Sequence, residues 1–475
     1  MIINLITFIY CWLKTYFRMK KFNYLILILS VAAGMVTFNS CNKEKEIEDP
    51  FEDNDVYFEI DPNGTIQCRA DDPDLLNEVF GEEGANADEE MMALRERYIQ
   101  KVNERAAELT EKYKDELKDY DGANACVPGY TSYKFYYKSK DLYGNDVTLS
   151  GRVAWGTYWW FGWENADPDN IYLLEHYTIT DNSECPSENG KTDMALVTGD
   201  NLLVMPDYIG YGITKERLHP YLNHEIAVQN SMDALEAAIA VWKKYGSGEM
   251  EDDWRFYVIG ASQGASNALA IHKYLDTHED IANKWRFDYS YCCCGAYDPE
   301  LTMNTYYDWG KTAYVGAIPM TIKSMLASYP DIMKGFKEDD FYSEKYLKIK
   351  DQIDEILEKK QTNTTDLNHK IKELLKTENP TLEDMLSKNA LDQNSELCKA
   401  FFTCLENNNL VGGWTPKHKI HLYGTTEDEI VPYDNTAEVI GVLGNNNMVE
   451  VVSVGTSKHV ATCYKWYATL MTGNW

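Results

Sequence analysis

A serine hydroxyl attacks a carbonyl only when a base takes its proton, and that base needs an acid to fix its tautomer. Ser262 is placed for such work. It stands between Gly260 and Gly264 in "VIGASQGASNALAIHKYL", where an apolar run, "FYVI", leads into the motif and a helical segment leads out. G-x-S-x-G alone is weak, arising by chance in about one chain in ten of this length. Its context is stronger. A strand-to-helix turn this sharp has no room for a Cβ at 260 or 264 and lifts the hydroxyl clear of a sheet. It also aims the Gln263 N–H, at a helix start, toward an oxyanion.

Nine histidines are available as the base. His176, His219 and His224 precede the serine, and His272 and His278 lie on or just past its own helix. His369 falls in a later helical stretch, and His418 and His421 open a strand. His459, in "EVVSVGTSKHVATCYKWY", follows the last strand-like segment with a helix behind it. The strand before that runs into "HLYGTTEDEIVPYDNTAEVI", which offers Glu427, Asp428 and Asp434 as the acid. Asp207 in "PDYIGYG" ends a strand ahead of the serine and reads as turn support. His219 and His224 in "HPYLNH" are five apart, off one helical face, and neither H-E-x-x-H nor a C-x-x-C couple occurs. No metal site and no cofactor is expected.

Positioning these groups requires a sheet. "YTSYKFYYKSKDLYGNDVTLSGRVAW" alternates and breaks at Tyr143-Gly144-Asn145, which predicts a hairpin. Strands are then expected at "IYLLEHY", "NLLVMPDY", "WRFYVIG", "FDYSYCCCGAY", "KIHLYGT" and "MVEVVSVG", with helices over 222–245 and 264–276 between them. Apolar strands alternating with helices imply a mainly parallel sheet covered on both faces. From about Lys311 to Leu410 no strand is convincing. Helices over 343–360, 366–376 and 394–405 make this an inserted helical cap. The aromatic cluster "WGTYWWFGW", 155–163, reads as a loop packed on the core, with a ligand surface as the alternative.

The chain has 475 residues, 44% hydrophobic and 25% charged, with a formal net charge of −31. A polyanion repels phosphate backbones, so nucleic acid is not an expected partner. "MKKFNYLILILSVAAGMVTFNSC" has a basic start at Met19, an apolar run from Tyr24 to Val36 and a cysteine at 41. It reads as a signal segment whose ending resembles a lipoprotein signal, which implies Cys41 as the lipidation site, with an uncleaved membrane anchor as the alternative and Met1 or Met19 as the start. "NKEKEIEDPFEDND" is too charged to bury a core and reads as a tether. The protein is therefore expected outside the cytoplasm, lipid-anchored in a bacterial cell envelope at the outer membrane, with exposure on the cell surface as a further reading. Beyond Cys41 nine cysteines remain, an odd number that leaves room for one or two disulfides of unread pairing.

Taken together, "GASQG", "VMPDYIGYG" followed by "HPYLNHEIAVQNSMDAL", "GAYDPELTM" and "GGWTPKHKIHLYG" resemble segments of the secretory lipase-like serine esterases, an α/β-hydrolase family. The resemblance covers roughly 130–475 and includes a helical cap. It implies the chain order serine, acid, histidine, hence Ser262, Asp428 within D-x-x-V-P, and His459, with Glu427 and Asp434 as competing acids. It implies oxyanion donors at the backbone N–H of Gln263 and near Tyr177, where relatives read His-Gly and this chain reads His176-Tyr177, leaving Tyr177 or Thr178 as donor. The implied activity is carboxylic ester hydrolysis, with amide hydrolysis or an inactive surface binding lipoprotein as rivals. The expected organisation is 1–41 signal, 42–60 tether, 61–125 N-terminal helical extension with its helix over 88–118, 126–310 first core part, 311–410 cap and 411–475 second core part. Oligomeric state leaves no trace in the sequence.

Overall fold

The computed structural model describes residues 56–66, 127–159, 163–189, 201–250 and 252–472. The signal segment with Cys41, most of the tether, the helix expected over 88–118, Cys68 and Cys126 lie outside them, as does part of the aromatic cluster. One ten-stranded sheet organises the rest, in the order β1-β2-β3-β6-β5-β7-β8-β9-β10, with β4 on β3. The strands are β1 (Val56–Ile66), β2 (Val127–Lys140), β3 (Asp146–Trp159), β4 (Trp163–Asn165), β5 (Asn170–Glu175), β6 (Asn201–Pro206), β7 (Arg255–Ala261), β8 (Phe287–Cys293), β9 (Lys419–Thr425) and β10 (Val449–Gly455). From β6 onward in that order every pairing is parallel, while β1, β2, β3 and β4 pair antiparallel and β3 joins β6 antiparallel.

The longer helices are α1 (His224–Tyr245), α2 (Gln263–Thr277), α3 (Pro299–Trp309), α4 (Ala317–Ser328), α5 (Lys350–Lys359), α6 (Thr364–Leu375), α7 (Glu396–Glu406), α8 (Asp434–Leu443) and α9 (His459–Thr472). The apolar strands are sorted between two cores by pleat. Leu173, Val204 and Val258 pack in the cluster that holds Leu235, Trp242 and Leu269 of α1 and α2. Their neighbours Leu174, Leu203, Met205 and Ile259 face the other way, against Tyr291 and Trp466. The expected hairpin joins β2 to β3 with Lys140 opposite Asp146, and Asp141 Oδ1 accepts the N–H groups of Tyr143 and Asn145 in its turn.

Three details differ from the sequence expectations. β1 occupies the end of the expected tether and the start of the expected helical extension, because "VYFEI" carries β-branched and aromatic residues that suit an edge strand. The helix expected over 343–360 is two, Glu344–Leu347 and Lys350–Lys359, with Tyr346, Ile349 and Ile353 still buried together. Helix α3, placed by sequence in the first core part, packs Met303 and Tyr306 into the cap's own cluster beside Ile318, Phe341 and Phe401.

The cap is tied to the sheet domain by hydrogen bonds as well as apolar packing. Thr180 Oγ1 donates to the Thr362 carbonyl at 2.7 Å, and the Asn182 N–H donates to the Lys360 carbonyl at 2.8 Å. Lys360, buried at the end of α5, donates its ammonium to the carbonyls of Gly210, Lys215 and Arg217. At the other end, the His224 ring meets the Asn408 carbonyl at 2.7 Å and the Leu410 N–H donates to Tyr297. Replacing Lys360 with Met leaves three carbonyls without their donor. It is expected to cost about 3 kcal/mol, read as a lower urea midpoint at unchanged slope; an unmoved midpoint would show that the neck does not depend on this lysine.

Candidate active site

β7 ends at Ala261 and α2 starts at Gln263, so Ser262 must turn the chain in one residue. It does so at φ 56 and ψ −122, a conformation that non-glycine residues rarely hold and that costs of order 1–3 kcal/mol. Two contacts enforce it. The Ser262 N–H donates to the Cys293 carbonyl of β8 at 2.8 Å, and the Ser262 carbonyl accepts the N–H groups of Ala265 and Ser266 at the helix start. The flanking glycines follow from packing. A Cβ on Gly260 would lie 2.2 Å from the Gly264 carbonyl oxygen, and one on Gly264 would lie 1.9 Å from that of Glu175. Alanines 261, 265 and 268 are fully buried in the same crossing.

The acid and base loops are neighbours because β9 and β10 pair in parallel, with Thr425 opposite Gly455. Thr425 Oγ1 lies 3.0 Å from the Gly455 carbonyl and 2.5 Å from that of Ser457, bridging the two strand ends. His459 opens α9, and its backbone N–H donates to the Glu429 carboxylate at 3.1 Å. Its Nε2 lies 2.9 Å from Ser262 Oγ and its Nδ1 2.7 Å from Asp428 Oδ2. The other Asp428 oxygen accepts the N–H groups of Ile430 at 3.0 Å and Val431 at 2.7 Å. With one oxygen spent on its own turn, the second is left to the imidazole. Glu427 and Asp434, the competing acids, are exposed, whereas Asp428 is buried against the His459 ring. Burial alone would push the His459 imidazole down, but the Asp428 carboxylate overrides it and holds the ring well above its ordinary value.

The segment around Tyr177 is held from both sides. The Tyr208 hydroxyl donates to the His176 carbonyl at 3.1 Å, and His176 Nδ1 meets the Tyr177 carbonyl at 2.7 Å. A trans peptide points its N–H opposite its carbonyl, so anchoring the His176 carbonyl also orients the Tyr177 N–H. The Tyr177 ring itself is exposed. On the serine's side, the Gln263 N–H is one of the first-turn donors that a helix leaves unpaired. The Gln263 side chain is fixed separately, its Nε2 donating to His219 Nε2 at 2.7 Å while His219 Nδ1 donates to the Ile209 carbonyl at 2.9 Å. His176 stacks on Tyr208 at 3.9 Å, and Tyr208 lies parallel to His219. "PDYIGYG" and "HPYLNH" are thus a single aromatic stack behind the serine.

Asp207 is wholly buried and braces loops, accepting from the Ser187 N–H at 2.7 Å and from the Ser150 hydroxyl at 2.5 Å. Trp155 of the aromatic cluster is core, stacked on Tyr133 at 5.1 Å. The cysteines at 185, 292, 293, 294, 398, 404 and 463 are free thiols, so the room for disulfides is not used among the described residues. Sequence reasoning missed Glu429 and the part played by His219. Glu429 adjoins the acid motif and had a signal there; His219 was weighed only as the base and as a metal ligand, not as a support for Gln263.

No family model and no curated relative matches this sequence. Solved structures do match in fold. A variant of the rice cell wall degrading esterase LipA from Xanthomonas oryzae superposes with a TM-score of 0.60 at 18% identity, covering 75% of this chain and 93% of that chain. A Legionella pneumophila protein provisionally named a hydrolase gives 0.56 at 18% identity, covering 76% and 94%. The fold is that of the α/β-hydrolases, as the sequence resemblance implied.

The buried rings make this fold acid-sensitive. Burial holds His176 and His272 below the usual histidine value, His219 at about 3 and His224 at about 4. On unfolding, these rings regain a value of about 6.5 and bind protons that the folded state refuses. The unfolded state then binds more protons, so stability falls as pH drops below about 6.5. His459, held high, and the carboxyls of Glu175 and Glu184, which burial raises to about 7, oppose the rings near neutral pH, so the rings prevail only on further acidification. Urea midpoints are expected to fall from about pH 6 to about pH 4.5; a midpoint that rises across that range would contradict the assignment of neutral rings.

Proposed function

We propose that this α/β-hydrolase fold carries a serine hydrolase that cleaves carboxylic esters through an acyl-enzyme. The observation that carries the reading is the continuous hydrogen-bonded line from Ser262 Oγ through both nitrogens of His459 to Asp428, with the serine in a strained turn. Three side chains from distant parts of the sequence converge without an evident structural need for it.

In the proposed reaction, His459 Nε2 takes the Ser262 proton as Oγ bonds to the ester carbon. Asp428 holds the ring with its Nδ1–H inward and stabilises the imidazolium that forms. The oxygen of the tetrahedral intermediate faces the N–H groups of Gln263 and Tyr177, each such donor contributing about 3 kcal/mol of barrier lowering. Collapse breaks the bond to the alcohol, which leaves with the proton from His459. A water then gives its proton to His459, its oxygen bonds to the acyl carbon, and Ser262 is released with the acid. Ser150, Asp207 and Ser187 take no part; they hold the loop from which Tyr208 reaches the Tyr177 segment.

The shared fold with LipA supports the hydrolase framework, and its named action on rice cell wall makes polymer-linked esters one substrate class to assay alongside short acyl and lipid esters. Ser262→Ala is expected to lower p-nitrophenyl acetate hydrolysis by about 10⁴-fold or more and to leave the urea midpoint close to the parent's, since the turn and its backbone bonds remain. Asp428→Asn should lose about 10⁴-fold through the wrong imidazole tautomer. Undiminished turnover in Ser262→Ala would end the reading.

The proposal extends to placement. Cys41 carries a lipid and the tether after it holds the catalytic domain off an envelope membrane. Cys41→Ala is expected to move the protein from the membrane fraction to the soluble fraction of the producing cell, and retention on the membrane would refute the anchor at this position.

A further inference from the structure

We propose that Cys293, Cys294 and Cys463 form a site for a soft, thiophilic metal cation, placed so that its occupation draws His459 away from Ser262. Cys293 ends β8, Cys294 follows it with φ 53, and Cys463 stands one turn after His459 on α9. Their sulfurs all lie within 4.8 Å of one another. Three sulfurs bound at about 2.3 Å to a common ion stand about 3.8 Å apart, so small side-chain rotations complete the set. Cys463 Sγ is 4.0 Å from His459 Nε2, the same nitrogen that reaches Ser262 Oγ at 2.9 Å.

Three thiols and an imidazole are the donor set of many four-coordinate zinc sites, and thiolates select soft ions over magnesium or calcium. A pair of cysteines would suffice for a disulfide; three around one point, with an imidazole beside them, favour an ion. Cys293 and Cys294 are buried while Cys463 is partly exposed, so an ion arrives from the Cys463 side. Each ligating thiol gives its proton to solvent, and the bound ion takes the Nε2 lone pair that would otherwise accept the serine proton. The sequence reading, which expected no metal, looked for ligands close together along the chain. These ligands come from a strand end and a distant helix, so no spacing announces them.

The inhibitory half of this proposal rests on the hydrolytic reading; the binding half does not, and the experiment separates them. The full chain, reduced with a phosphine, is titrated with Cd²⁺ while sulfur-to-cadmium ultraviolet absorption and p-nitrophenyl acetate hydrolysis are followed together. A single equivalent is expected to raise the band and abolish hydrolysis at the same stoichiometry, and a chelator should reverse both. Cys463→Ser and Cys294→Ser are each expected to weaken Cd²⁺ binding about a hundredfold, whereas Cys398→Ser, in the cap, should bind and be inhibited as the parent is. A band that survives unchanged in Cys463→Ser would overturn the site. A Cys463-dependent band with undiminished hydrolysis would overturn its coupling to His459. The same band in a protein that hydrolyses no ester before metal is added would support the site and count against the hydrolytic reading. A disulfide from Cys463 to Cys293 or Cys294 in the unreduced protein, found by peptide mapping, would overturn the metal assignment.

Discussion

The hydrogen bond from the Ser262 N–H to the Cys293 carbonyl is the constraint on which the site depends. It continues the β7–β8 ladder one residue past the strand, so the chain is still held by the sheet when it must already turn into α2. A serine left free there would relax out of its left-handed backbone angle, and the hydroxyl would swing away from His459. The sheet supplies the restoring force; the glycines at 260 and 264 supply the room. The strain is therefore local, while what balances it is spread over β7, β8 and the start of the helix.

The second requirement is met by parallel pairing between β9 and β10. Parallel strands end at the same edge of a sheet, so loops that follow them meet in space even when a helix separates them in sequence. Asp428 and His459 stand just past two such strand ends, one in a loop and one opening α9, and Thr425 binds the two ends together. Asp428 succeeds where Glu427 and Asp434 do not because its short side chain closes its own turn through Ile430 and Val431. The carboxylate is held by its own turn as well as by the imidazole.

Much of this was legible in the sequence because it is local or periodic. Apolar runs gave strands, the G-x-S-x-G turn gave its serine, and D-x-x-V-P gave a carboxylate, to which the structure adds backbone donors two and three residues on. The edge strand β1 escaped notice because charges on both sides of "VYFEI" outweigh its β-forming residues in any window of useful length. Helix α3 packs with the cap's helices, a contact its apolar face alone does not announce because it does not say which of two cores it meets. The part played by His219 was missed because its partner Gln263 is brought near by the crossing of elements, and no one-dimensional spacing encodes a crossing.

The neck between cap and sheet has a further consequence. Lys360 grips three carbonyls of one loop, and Asn408 grips His224 at the opposite end, so the cap is bolted at two points and not hung from one. Under the proposed reading, such a roof presents the same cleft to a dissolved molecule as to one held in a micelle. Turnover would then track the concentration of monomeric ester smoothly through the onset of aggregation, with no jump as an oil–water boundary forms.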